Sequence, residues 1–453
     1  MSKYLKKFLP FFILLILAFS THFLFLSYPS EVVFDEVHFG KFVSAYFSHQ
    51  YYFDIHPPLG KLMIAGFADI FGYKDNFDFS QIGEAFNAKS LFILRFLPAF
   101  FGSLFVTLIY GLILSLGFSK KSAFLAGFLV LFDNVYLVQS KFILVDIFLL
   151  FFGFASFYFF VLAEKSKNSF KKGLLFYIVS AISVGLSFSV KWTGLSFLGL
   201  ILFFIFLNSL KQFKIKLFLQ KIIIFTVLPF LVYLLVFVFH FGLLKNSGPG
   251  DAYMSSAFQK TLSGNQISAD IKPLSFWGKF TELNIAMYRY NAGIKASHPN
   301  ASKWYEWPLA KKPIWYWTKS SDGKTANIYL LGNPLVWWLV SLAVFSSLFI
   351  IFFGRFRKKI SPLIYFLIFG YFLNLLPFIL VSRVTFLYHY LPSLTFGILI
   401  LVTLYEKLLN KLPLSLYLGF LIGVLVLFLL LSPLTYGFPT TPQTYQIYQD
   451  LFF

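Results

Sequence analysis

Polar positions are scarce along this chain and fall in bunches between long apolar runs. Each run is close to the roughly 20 residues that a helix needs to cross a bilayer core. The pattern predicts spans over about 8–28, 90–117, 120–138, 142–163, 172–190, 192–210, 219–242, 334–353, 361–381, 384–404 and 412–434. That makes about eleven helices in an all-α polytopic membrane protein. Two long segments interrupt the rhythm, about Pro29–Lys89 and Leu243–Asn333, and a tail rich in Tyr and Pro follows from Thr435. The chain therefore divides into an N-terminal transmembrane module over 1–242 with a first loop at 29–89, a large loop over 243–333, and a C-terminal four-helix module over 334–453.

Within the first loop the period changes. Phe39, Phe42, Val43, Tyr46 and Phe47 recur at helical spacing, which predicts an amphipathic helix on the membrane surface. A second helix start follows at HPPLGKL, where proline suits the first turn and Lys61 adds a cation.

Composition agrees with the pattern. Of 453 residues, 58% are hydrophobic and 12% charged, and mean hydropathy is +0.76, which excludes a soluble protein. The apolar run after Lys3, Lys6 and Lys7 resembles a signal peptide but is long and lacks a small-residue cleavage site, so it reads as a retained first helix. There is no cysteine, hence no disulfide and no thiolate metal site.

The net charge of +20 would suggest nucleic acid in a soluble protein, but the lysines lie in short loops on one side. With the N-terminus inside, Lys120/Lys121, Lys165/Lys167/Lys171/Lys172, Lys211/Lys214/Lys216/Lys221, Arg355/Arg357/Lys358/Lys359 and Lys407/Lys411 all face the cytoplasm. The two long segments are then extracytoplasmic and hold nearly all Asp and Glu.

Asp35 and Glu36 begin the predicted surface helix. Spacing alone makes them an N-cap pair, where the helix dipole favours anions. A second polar helix end nearby makes a cleft for a charged lipid headgroup the functional alternative. Ionisable residues inside or at the mouths of spans are costly and point to function. Arg95, Asp133, Lys141, Asp146, Lys191, His240 and Arg383 meet that description and are expected to project towards one face, where a ring of cations suits a lipid-borne phosphate. Snorkelling anchors, or a structural pair such as Lys141 with Asp146, are the plainer reading.

Phosphate-loop, HExxH and GxSxG motifs are missing, and no inverted repeats with broken midplane helices mark a transporter. The DNFD stretch, Asp75 to Asp78, is the one DxD-like spacing, so no metal is expected to be obligatory and a divalent ion stays open.

Together, FDEVHFGKF, YYFDIHPPLGKL, LRFLPA, LFDNVYLVQSKFILVD, GLSFSVKWTGL, HFGLLKNSGPGDAYMSSAFQ, HPNASKWYEWPLAKKPIWYW, GNPLVWW and RVTFLYHYLPSL resemble, in order and over nearly the whole chain, the protein O-mannosyltransferases, integral-membrane glycosyltransferases of the GT-C type. The resemblance implies that residues 1–242 form a catalytic GT-C module. It implies transfer of mannose from a polyprenyl or dolichyl phosphate to Ser or Thr hydroxyls of secreted proteins, with inversion, at an extracytoplasmic site in the cell membrane. It aligns Asp35 and Glu36 with the family's Asp-Glu motif. The large loop is too short for the β-trefoil MIR domain of eukaryotic members, which suggests the compact bacterial form. Lys141 stands where many members carry Arg, so bidentate contact is lost there.

On this reading Asp35 is the base, kept ionised by the helix dipole, and Glu36 orients the acceptor or holds Asp35. Arg95, Lys191, His240 and Arg383 are candidates to hold the donor phosphate, Arg95 alternatively pairing with the Asp-Glu motif. His56, Lys61, Lys141, Asp146, Trp304 and His389 are candidates for binding the acceptor or organising the loops. The Trp and Tyr of Lys303–Trp317 fit an interface belt or a sugar and peptide platform equally. A transferase acting on a lipid or cell-wall glycan, or a lipid-linked-sugar transporter, is the alternative.

Overall fold

The computed structural model describes residues 3–75, 77–166, 169–211, 214–293, 298–353, 361–409 and 412–453. The predicted basic positions Lys167, Arg355, Arg357, Lys358, Lys359 and Lys411 lie outside the described residues.

The helices in chain order are α1 (Lys3–Phe23), α2 (Glu36–Ser48), α3 (Leu59–Ile70), α4 (Ala88–Ser115), α5 (Lys120–Leu131), α6 (Asn134–Lys141), α7 (Asp146–Lys165), α8 (Phe170–Val190), α9 (Leu195–Lys211), α10 (Ile215–Leu243), α11 (Ser256–Gln259), α12 (Phe276–Gly293), α13 (Pro334–Phe352), α14 (Leu363–Leu375), α15 (Leu391–Leu404), α16 (Leu414–Tyr436) and α17 (Pro442–Phe452). Among the described residues nine helical segments are long and apolar enough to cross a membrane. A tenth is the pair α5 and α6, bent by 57° at Phe132–Asp133, and α1 adds a shorter apolar stretch, Phe8–Phe23. The chain is thus a multi-pass membrane protein. Its spans expose Phe239, Phe345 and Ile422 outward, an arrangement that lipid tolerates and water penalises.

The long segments pack together on one face of the bundle. The predicted surface helix is α2, which buries Phe39, Val43 and Tyr46 on one side, while α3 begins at HPPLGKL as the prolines indicate. The large loop holds a feature absent from the helical reading. Strands β1 (Ile314–Ser321) and β2 (Lys324–Leu330) form an antiparallel hairpin, and β3 (Pro439–Thr440) adds to β2. Its two-residue turn is Asp322-Gly323, both at positive φ (51° and 70°), the mirror-image turn that matches strand twist. The β1–β2 register slips by one residue between Trp315 and Trp317, so Tyr316 bulges out of the ladder.

Candidate active site

Asp35 precedes the first turn of α2. Its carbonyl accepts the amides of His38 and Phe39 at 2.9 Å, but its side chain makes no capping bond. The residue before it, Phe34, is held at φ 46°, rare for a non-glycine residue. Its ring stacks on Tyr316 at 4.0 Å, and its amide donates to the Tyr316 carbonyl at 3.1 Å. Strand β1 therefore braces the Asp35 turn from above.

The two acidic neighbours have opposite environments. Glu36 is fully buried and held bidentately by Arg95, Nε to Oε1 and Nη2 to Oε2 both at 2.8 Å. The amides of Val33 and Ile143 donate to the same carboxylate at 2.9 Å. Arg95 spends its remaining donors on the carbonyls of Leu26, Pro29 and Glu31. Of the two roles open to Arg95, the geometry is that of the loop clamp, with no donor left over for phosphate.

Asp35 is partly exposed and accepts no hydrogen bond from the described residues. Burial pushes its carboxyl up to about 7, with Lys191 pulling it down and Asp146 and Asp54 adding to the rise. Lost hydration thus opposes the helix dipole, which is expected to keep Asp35 ionised.

A cleft opens between the loops and the helix ends, lined among others by His56, Asp146, Lys191, Arg383, Tyr388 and His389, and its Lys191 and Asp146 act electrostatically on Asp35. Lys191 sits in extended conformation at the break after α8. The turn that follows closes on Gly194, where a Cβ would lie 2.7 Å from the Phe188 amide nitrogen, so glycine is required for the turn that presents Lys191. Its Nζ donates to both oxygens of Asp146, at 2.7 and 2.8 Å, and lies 5.2 Å from the centre of the Tyr388 ring. Arg383 lines the same cleft and makes no ion pair among the described residues. Burial lowers its basicity against the opposing effect of Tyr388, and a guanidinium stays a cation. His56 is held well below its ordinary range by burial and then by Lys191, Lys61, Arg383 and His389, and so is neutral.

Of the other predicted residues, His389 also lines this cleft, while Arg95, Asp133, Lys141, His240, Lys61 and Trp304 do not, so the predicted cations do not form one ring around it. Lys141 donates to the Leu24 carbonyl and covers the Tyr436 ring at 4.6 Å, and Asp146 pairs with Lys191 in its place. Asp133 accepts from the amides of Val135 and Asn333 and from the Trp337 indole at 2.8 Å, tying α6 to α13. His240 is buried, its Nδ1 2.8 Å from the Tyr46 hydroxyl. Lys61 is buried against Asp54, a partner the sequence reading did not single out, and donates to the His56 carbonyl at 3.0 Å. Burial lowers the Lys61 ammonium while Asp54 raises it. His389 bonds Phe386 and stacks on Trp307 at 5.9 Å. Trp304 packs edge-on against Tyr305 beside the core and does not line the cleft.

The aromatic stretch splits between roles. Trp307, Tyr316 and Trp317 are core, and Tyr305 is exposed. Among the described residues no three His, Asp or Glu side chains converge as metal ligands.

The multi-pass helical bundle has the GT-C fold. The structure of the Saccharomyces cerevisiae protein O-mannosyltransferase Pmt1-Pmt2 complex bound to the sugar donor matches with a TM-score of 0.90 at 21% identity, over 100% of this chain and 93% of that one. ArnT from Cupriavidus metallidurans bound to undecaprenyl phosphate matches at 0.54 and 14% identity, over 93% of this chain and 63% of that one. The family described as dolichyl-phosphate-mannose-protein mannosyltransferase matches residues 12–245, and the C-terminal four TMM region of protein-O-mannosyltransferase matches 276–451. The chain belongs to the protein O-mannosyltransferase family. Protein O-mannosyltransferase 1 of Drosophila melanogaster is 33% identical over 72% of this chain and 37% of its own length. The chain spans 37% to 39% of the length of the first curated relatives it matches.

Proposed function

We propose that this protein transfers mannose from polyprenyl-phosphate mannose to Ser or Thr hydroxyls of proteins outside the cytoplasm, with inversion. The observation that carries the reading is the contrast at the Asp-Glu motif. Glu36 is locked to Arg95, whereas Asp35 has no ion pair or hydrogen-bond donor on its carboxyl among the described residues and is electrostatically coupled to a cleft that holds Lys191 and Arg383.

Inverting transfer needs a base on one face of the sugar and positive charge on the other. Asp35 takes the proton of the acceptor hydroxyl as that oxygen bonds to the anomeric carbon, and the bond from that carbon to the phosphate oxygen breaks. The electron pair leaves with polyprenyl phosphate, whose charge Arg383 and Lys191 receive. A carboxyl near 7 is a better proton acceptor than an ordinary aspartate and is still half ionised at neutral pH. Asp146 holds Lys191 in place, and neutral His56 lines the cleft without repelling the cations. The lysine bias of the short loops puts the N-terminus in the cytoplasm and this cleft on the opposite side.

The test is transfer of radiolabelled mannose from polyprenyl-phosphate mannose to a Ser/Thr peptide by purified protein in nanodiscs. Wild type is expected to give a base-labile, O-linked product of α configuration from a β donor, and Asp35→Asn to lose about 10²–10⁴ in rate. Mannose found on lipid or free glycan with unmodified peptide, or full activity in Asp35→Asn, overturns the reading.

A further inference from the structure

The bulged residue of β1 has a connection that the proposed chemistry does not use. Tyr316 is fully buried, and its hydroxyl donates to Gln139 Oε1 at 3.1 Å. Gln139, also buried, donates from Nε2 to Asp146 Oδ2 at 3.4 Å, and Asp146 holds Lys191 through both oxygens. The same Tyr316 supports the base, by stacking on Phe34 at 4.0 Å and accepting its amide at 3.1 Å. A regular strand would leave the Tyr316 carbonyl in the ladder and turn its side chain to the opposite face from Trp317. The bulge frees that carbonyl and allows Tyr316 and Trp317, neighbours in sequence, both to be buried.

We propose that Tyr316 is a positioning residue that sets the base and the phosphate cation together, holding the Asp35 turn through Phe34 and Lys191 through Gln139 and Asp146. The inference rests on reading Lys191 as a ligand of the donor phosphate. A lysine carries a point charge on four flexible bonds, so its aim depends on what Asp146 is tied to. Gln139 is the tie: its amide accepts from the hairpin and donates to the carboxylate. The large loop thereby acts on the donor site across a chain of side chains that are buried or nearly so.

The experiment measures binding of polyprenyl phosphate, without sugar or acceptor, to full-length protein in nanodiscs for wild type, Tyr316→Phe, Gln139→Met and the double variant. Tyr316→Phe keeps the stacked ring and removes the hydroxyl. Each single variant is expected to weaken binding about tenfold, with the double variant no weaker than the worse single one, because both break one path. In turnover, the donor KM should rise by the same factor while the peptide KM and the acid limb of the pH profile stay as in wild type. Unchanged binding in both single variants, or losses that multiply in the double variant, overturns the proposal. If Tyr316→Phe does not fold, unchanged binding in Gln139→Met alone overturns it and a tenfold loss supports it. Wild type that binds but is indifferent to the variants sinks the relay only. Wild type that fails to bind polyprenyl phosphate sinks the reading of the cleft as well.

Discussion

Glu36 and Arg95 meet in a fully buried two-bond pair, both contacts at 2.8 Å, while the Asp35 carboxyl next door accepts no hydrogen bond among the described residues. One turn of backbone thus presents two carboxylates in opposite states. The paired one anchors the first loop to α4, and the other keeps its oxygens free of protein donors among the described residues.

Breaking the anchor should cost stability before it costs chemistry. Arg95→Met leaves the buried Glu36 carboxyl without its cation in a dry site, a loss of roughly 3–5 kcal/mol. Arg95→Lys should not restore it, because three donors on a point charge cannot replace the five bonds that Arg95 makes. Thermal unfolding in detergent and the yield of folded protein check this; wild-type stability in Arg95→Lys would contradict it.

The rate should follow the ionisation of Asp35. Its carboxyl titrates near 7, so the basic form grows about tenfold per pH unit below that value and levels off above it. A profile of kcat/KM from about pH 5 to about pH 9 should show an acid limb bending near 7, and the residual activity of Asp35→Asn should lack that limb. A bend near the ordinary carboxylate value of about 4 would place the base elsewhere.

Asp35 should also carry a stability cost. In the folded state it keeps its proton up to about 7, whereas unfolded it loses it near 4. Its protonated form therefore supports folding below about pH 4, and that support fades as pH rises to 7. Asp35→Asn, permanently neutral, should melt higher than wild type at about pH 8 and lose that advantage towards pH 4. Equal melting temperatures at both pH values would show that Asp35 is better solvated than its surroundings indicate.

Arg383 should govern donor affinity. A charged hydrogen bond contributes roughly 1.5–3 kcal/mol, so Arg383→Met is expected to raise the donor KM about tenfold to a hundredfold, with Arg383→Lys in between. The peptide KM should stay put. Steady-state kinetics with each substrate varied in turn separates the two, and a rise confined to the peptide KM would move Arg383 to the acceptor side.

Much of this was readable along the chain. The spans are visible because the bilayer enforces about twenty apolar residues per crossing, and α2 is visible because its buried face repeats at helical spacing. The hairpin had a readable signal in Asp322-Gly323 between Ile314–Ser321 and Lys324–Leu330, but a search for apolar spans passes over it. The bulge at Tyr316 left no such trace, since a one-residue slip depends on what the strand packs against.

The sequence by itself determined that the chain is a multi-pass helical membrane protein and that the Asp-Glu pair stands at the head of a helix, because these follow from composition and local period. Tertiary structure alone decided which charges meet. Arg95 and Glu36 lie 59 residues apart, Lys191 and Asp146 lie 45 apart, and Lys141, five positions from Asp146, turns away to Leu24. A buried charge pairs with whatever the packed helices bring within reach, and in a dry interior that pairing separates an anchoring carboxylate from one free to take a proton.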